Sequence, residues 1–195
     1  MERFDVIFAQ RYLDAFNAYR RGESPSTSWQ LAFDAGTQWP PLVLQHLLLG
    51  MNAHINLDLG IAAASTAPGD QIHSLKGDFE EISKLLGELI DDVQDRISTI
   101  SPWMWILDRV GARTDEVVCM FCMSKARDVA WQTAVSLALV AEQERAAEIE
   151  RIDAIVTALG SLVRRPGALL APALLLVRLR EARDPARIIQ ALHGS

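Results

Sequence analysis

The chain has 195 residues, half of them apolar and 23% charged, with a net charge of −6. That length can bury a core of its own, and the near-average composition argues against a disordered chain. The acidic balance, with no basic stripe carrying interleaved aromatics, argues against DNA or RNA as a partner.

Glu2 and Asp5 stand among the first five residues, and no unbroken apolar stretch with a small-residue cleavage site follows. A secretory signal is therefore not expected, and a cytoplasmic location is the default. Phe4, Ile7, Phe8, Tyr12, Phe16 and Tyr19 recur at helical spacing over roughly Glu2 to Arg21, and Arg20-Arg21-Gly22 supplies a stop. Ser26 or Thr27 can cap a short second helix carrying Trp29, Leu31, Ala32 and Phe33, which Gly36 ends before the Trp39-Pro40-Pro41 corner. A third helix starts at the prolines and runs from Leu42 to Ala64.

Thr66, Pro68, Gly69 and Asp70 break the pattern between Ser65 and Lys76. Phe79, Ile82, Leu85, Leu86, Leu89, Ile90, Val93 and Ile97 then predict a fourth helix over about Asp78 to Arg96. Ser101-Pro102 opens a short Trp-rich helix, Trp103 to Val110, and Thr114-Asp115-Glu116 caps a helical pattern reaching about Leu159. More than 40 residues without Gly or Pro must bend or break somewhere. Beyond Gly160 the composition changes, with six Arg against two acidic residues, whereas the rest of the chain has 13 basic against 23 acidic. Leu169 to Val177 is apolar but interrupted by Pro172 and shorter than the ~20 residues a bilayer span needs, so it reads as a helix docked on the body. Arg164, Arg165, Arg178, Arg180 and Arg183 would also suit peripheral contact with an anionic membrane. No segment alternates as a strand does. The expectation is an all-α protein, one multi-helix bundle over residues 1–195 around a buried helix at about 42–64, with an Arg-rich C-terminal helical segment at about 161–195.

The third helix is apolar on every side, as a buried helix is, yet it carries His46, Asn52, His54, Asn56 and Asp58. Buried polar groups are costly unless each finds a partner. His46, Gly50, His54 and Asp58 follow one another at i, i+4, so His54 and Asp58 can share one ligand while Gly50 leaves room beside them. Asn52 and Asn56 form a second i, i+4 pair on another face, suited to tying this helix to a neighbour.

Two readings follow. In the first, His54 and Asp58, joined by His46 and by Asp78 or His73 from the next segment, hold a divalent metal such as zinc, iron or manganese. The protein is then a hydrolase for a small or lipophilic substrate, with metal-activated water as nucleophile and a second His or carboxylate moving the proton. In the second, the same residues are a paired core network in a non-catalytic ligand-binding or interaction protein. Arg127, in the apolar part of the long helix beside Trp131, would neutralise Asp58 without a metal. The five Trp fill the core or line an apolar pocket. Cys119 and Cys122, the only cysteines, fit buried reduced residues on one helix face, with a redox pair or half a metal site as the alternatives.

The run HLLLGMNAHINLDLGIA from His46, with Leu75 to Phe79 and Ala126 to Trp131, resembles a family of uncharacterised bacterial and fungal proteins, domain of unknown function 5995. The likeness covers about Phe4 to Leu139 and implies a shared architecture, with no activity attached. More distantly, the His54-x-x-x-Asp58 pair is similar to one in the all-α zinc-dependent phospholipase C and single-strand nuclease superfamily, although this chain lacks that group's N-terminal Trp ligand and its Pro-x-His.

Overall fold

The computed structural model describes residues 2–38, 41–101, 123–165, 167, 171–182 and 184–193. All regular elements among them are helical: α1 (Glu2–Arg20), α2 (Thr27–Gly36), α3 (Val43–Ala53), a π-helical turn (His54–Asp58), α4 (Leu59–Thr66), a 3-10 helix (Gly69–Leu75), α5 (Lys76–Ile100), α6 (Met123–Leu139), α7 (Glu142–Arg164), α8 (Ala171–Arg180) and α9 (Pro185–His193). The protein is all-α, a multi-helix domain. The expected Trp103–Val110 helix, the cap at Thr114, Trp39-Pro40, Arg183 and both cysteines lie outside the described residues.

The rod formed by α3, the π-turn and α4 is the axis of the bundle. It is long and apolar enough to cross a membrane by composition, yet 72% of its apolar window is buried within the protein. Leu42, Leu49, Leu57, Leu59 and Ala62 are almost wholly shielded. Its N-terminal half packs on α2 and α7, and its C-terminal half on α1 and α6. Phe4 and Phe8 carry α1 onto this core, where Phe4 stacks on Phe79 of α5 and Phe79 meets the edge of Trp131 of α6. Trp131, partly buried, thus packs on the core, while the shielding of Phe4 and Phe79 contributes on the order of 1.5–3 kcal/mol each.

Close approach depends on two glycines. A Cβ at Gly60 of α4 would stand 2.7 Å from Thr133 Cγ2 and 3.1 Å from the Ala130 carbonyl oxygen, so only glycine lets α4 and α6 meet here. The long helical pattern was expected to reach about Leu159, but α7 runs on through Gly160 to Arg164. That glycine is selected by contact, since a Cβ there would lie 2.9 Å from Leu31 and 3.1 Å from Asn52.

The long helical pattern does break, at Val140–Ala141, where Ala141 takes an extended ψ of 143° before α7 begins. Arg145 reaches back to donate from Nε to the Leu137 carbonyl (3.2 Å) and pairs with Glu142 (2.6 Å), serving a C-terminal carbonyl of α6 that the helix leaves open. The expected cap of α2 is corrected as well: neither Ser26 nor Thr27 caps it with its own side chain. Asp153 of α7 accepts from the Thr27 and Ser28 backbone N–H groups (2.6 and 3.0 Å) and from the Thr27 hydroxyl. A distant carboxylate fills the role of a local cap and clamps α2 to α7 in doing so. Pro172 falls in the first turn of α8, where a missing N–H costs nothing.

Candidate functional site

The π-turn places the site. Between His54 and Asp58 the helix widens, so that the Leu59 N–H bonds the His54 carbonyl, and such single-turn bulges concentrate at functional positions. The turn still holds the two side chains together: His54 Nδ1 lies 3.2 Å from Asp58 Oδ2.

Asp58 is 1% exposed. Arg11 of α1 donates from Nε to its Oδ1 (2.6 Å), and the indole N–H of Trp29 on α2 donates to its Oδ2 (2.8 Å). One buried carboxylate therefore joins α1, α2 and the axial rod, with its charge balanced by the guanidinium of Arg11, whose side chain is one-third exposed. His54 sits in an aromatic frame. Its ring stacks flat on Phe8, with centroids 3.9 Å apart and 9° between planes, while Tyr12 and Trp29 close on it at 6.2 and 5.9 Å. The frame continues along α1 and α2 through Trp29–Phe33 and Phe33–Tyr19. With Nδ1 turned to Asp58, Nε2 points away from the carboxylate, has no hydrogen-bond partner among the described residues and is not one of the shielded polar atoms. The His54 side chain is 23% exposed.

The other candidate residues are placed apart from this centre. His46, two turns N-terminal on α3, is half-buried beside Arg178 and Glu181 of the C-terminal segment, and its Nδ1 has no partner. Loss of water and the nearby Arg178 charge hold its pKa below the ordinary 6.5, against the opposing pull of Glu181 and the Pro41 carbonyl. Asp78 lies in the first turn of α5, where a carboxylate suits the helix dipole, and it is not among the partners of Asp58. His73 is exposed on the 3-10 helix. Asn56 donates to Asn52 (2.9 Å), and Asn52 to the Val156 carbonyl of α7 (2.8 Å), so this pair ties the rod to a neighbour as its spacing suggests.

The expected Asp58–Arg127 pair is not formed. Arg127 donates instead to the Ser83 carbonyl of α5 (3.2 Å), because α6 presents it to α5 while Asp58 faces α1 and α2. Arg127, Trp131, Phe79 and Ser83 line a cleft of about 290 Å³ between α5 and α6. A larger one, of about 520 Å³, opens between α6 and α7 over Asn56, walled by Val129, Ile152, Ile155 and Leu159.

The donor set at Asp58 does not fit a metal. Both carboxylate oxygens already accept strong bonds, and a guanidinium 2.6 Å away would repel a cation placed there. Among the described residues no group of three or more His, Cys, Asp or Glu is assembled that could hold an ion.

A family model matches residues 1–166 of the chain, 'Family of unknown function (DUF5995)'. The chain belongs to that family. No curated protein and no solved structure matches it, and the distant likeness to the zinc phospholipases gains no support. Arg11, Trp29, His54 and Asp58 all lie within the DUF5995 match, whereas Glu181, which neighbours His46, lies beyond it.

Arg11, Trp29 as a donor, Asp153 and Glu181 escaped the sequence reading. A signal for three of them exists. Arg11 falls at i+3 from Phe8 and i+4 from Ile7, on the apolar face of α1; Asp153 interrupts the buried stripe of Ile152, Val156 and Val163; Glu181 follows Ala173 and Val177 at i+4 steps. A charge standing on an apolar face has a buried partner to find.

Proposed function

We propose that the protein binds a small aromatic or lipophilic molecule against the Phe8–Tyr12–Trp29 frame and that His54 acts on it as a metal-independent acid–base. The observation that carries this reading is a fully buried Asp58 that engages His54 through Nδ1 and leaves Nε2 without a partner among the described residues. A carboxylate on Nδ1 fixes the tautomer of the neutral ring, so that Nε2 is the nitrogen that takes the proton. Phe8 holds the ring plane. Arg11 and Trp29 hold the carboxylate, so Asp58 orients His54 without being free to take the proton itself. In a hydrolytic reaction Nε2 removes the proton from an attacking water and returns it to the leaving group.

Hydrolysis of 4-nitrophenyl esters of increasing acyl length tests this, with imidazole ¹⁵N shifts read by long-range ¹H–¹⁵N NMR. Turnover is expected in the wild type and His46→Gln and absent in His54→Gln, with neutral His54 carrying its proton on Nδ1 and losing that preference in Asp58→Asn. Turnover surviving His54→Gln, or an Nε2–H tautomer in the wild type, overturns the proposal.

The second reading, a structural network without catalysis, draws on the Asn52–Asn56–Val156 ladder, whose described bonds are all internal. It predicts the same fixed tautomer with no turnover of any ester and no shift of the His54 or Trp29 signals on adding them.

A further inference from the structure

Helix α8 is turned inside out. Its buried side carries Ala173 and Val177 and leads into Glu181, whose side chain is fully shielded and accepts from the Val43 backbone N–H (3.1 Å), the Ser101 hydroxyl (2.6 Å) and Arg178 (2.7 Å). Its outer side carries Pro172, Leu175, Leu176 and Leu179, all exposed, the three leucines at 50%, 45% and 54%. At 100° per residue these four fall within about one third of the helix circumference. The helix cannot roll its leucines inward without drawing the Glu181–Arg178 pair and the cap of α3 out of the core, so the outward face is fixed by the ion pair on the opposite side.

We infer that this face docks on an anionic lipid surface. Charge supports that occupant, because the segment from Gly160 onward has six Arg against two acidic residues, in a chain otherwise strongly acidic. Arg180 sits at the edge of the leucine face, with Arg165 before the helix and Arg187 after it, all three on the surface. Apolar side chains entering the acyl boundary with guanidinium groups at headgroup level are what an interfacial helix offers. A second copy of the chain fits less well. A ten-residue helix presents four apolar side chains, far from the roughly 20–30 residues per partner of a stable interface, and a symmetric pair would set Arg against Arg. The face also lies beyond residues 1–166, outside the family match. One short helix gives reversible, salt-sensitive binding.

Co-sedimentation of the full chain with phosphatidylcholine vesicles, with and without phosphatidylglycerol, tests the inference. The wild type is expected to partition onto the anionic vesicles alone and to leave them at high salt. Leu176→Glu/Leu179→Glu should lower that partition by about tenfold or more, since two exposed apolar side chains that would enter the acyl boundary become charged. Arg180→Gln/Arg187→Gln should lower it less. Leu175→Ser, a milder change on the same exposed face, guards against misfolding of the double variant, which circular dichroism monitors. Equal partition of wild type and leucine variants, equal binding to phosphatidylcholine alone, or no binding at all overturns the inference. So does a dimer in sedimentation equilibrium that the leucine changes abolish, which would assign the face to a second copy.

Discussion

Asp58 and Glu181 are built from nearly the same parts. Each is a buried carboxylate taking an Arg bond and a further donor, Trp29 for one and Ser101 for the other, and each has a His of the axial rod nearby. They differ in what the His is left with. His54 is oriented by its carboxylate, and its other nitrogen lies outside the shielded interior, inside an aromatic frame. His46 has no bond to Glu181 among the described contacts, feels Arg178, and keeps a shielded Nδ1 without a partner. Glu181 spends its bonds on the N-terminus of α3 and on α8, so it is a clamp between elements. An Arg–carboxylate–His set is therefore not in itself a site; the free nitrogen and its surroundings decide.

The sharpest way to break the comparison is Asp58→Ala, which leaves the Trp29 N–H and the Arg11 charge without their partner. A loss of about 3 kcal/mol or more is expected in urea unfolding. A near-neutral result would mean that Arg11 and Trp29 find water as readily as they find Asp58. Glu181→Gln should cost less, about 2 kcal/mol, because an amide oxygen still accepts from Val43 and Ser101 while the Arg178 charge loses its counterpart. The His54 tautomer should be unaffected, and a change in its ¹⁵N shifts would show that the two clusters are coupled.

His46 also couples stability to pH. Because the folded protein holds the His46 pKa below its ordinary 6.5, the unfolded chain binds more protons in the window below that value, and stability falls as pH drops through it. His46→Leu should flatten this part of the stability–pH curve, and an unchanged slope would remove His46 as its source.

The smallest effects come from the glycines of the rod. Gly60→Ala should destabilise by about 1–2 kcal/mol, since its Cβ meets Thr133 and a backbone oxygen. Gly50→Ala, with nothing within 4 Å, should stabilise by about 0.5–1 kcal/mol, as Ala is the better helix former. Thermal melts of the two variants moving in the same direction would contradict the packing described for the rod.

Much of this was legible from local rules. The 3.6-residue period of Phe4, Ile7, Phe8 and Tyr12, the all-round apolar character of Leu42 to Ala64, and the i, i+4 spacing of His54 and Asp58 fix helices and near neighbours, because helix geometry alone sets those distances. The family was legible in the run from His46 to Ala62. Partners across helices were not. Arg11, 47 positions from Asp58, and Asp153, 126 positions from Thr27, meet them only because α1 and α7 pack beside the elements they serve. Arg127 was equally eligible by charge and burial pattern, and it lost to Arg11 because α6 presents it to α5. A charge on an apolar face announces that a partner exists; which partner, and whether a histidine beside it keeps a nitrogen for chemistry, is decided by which faces the helices turn to one another once the core closes.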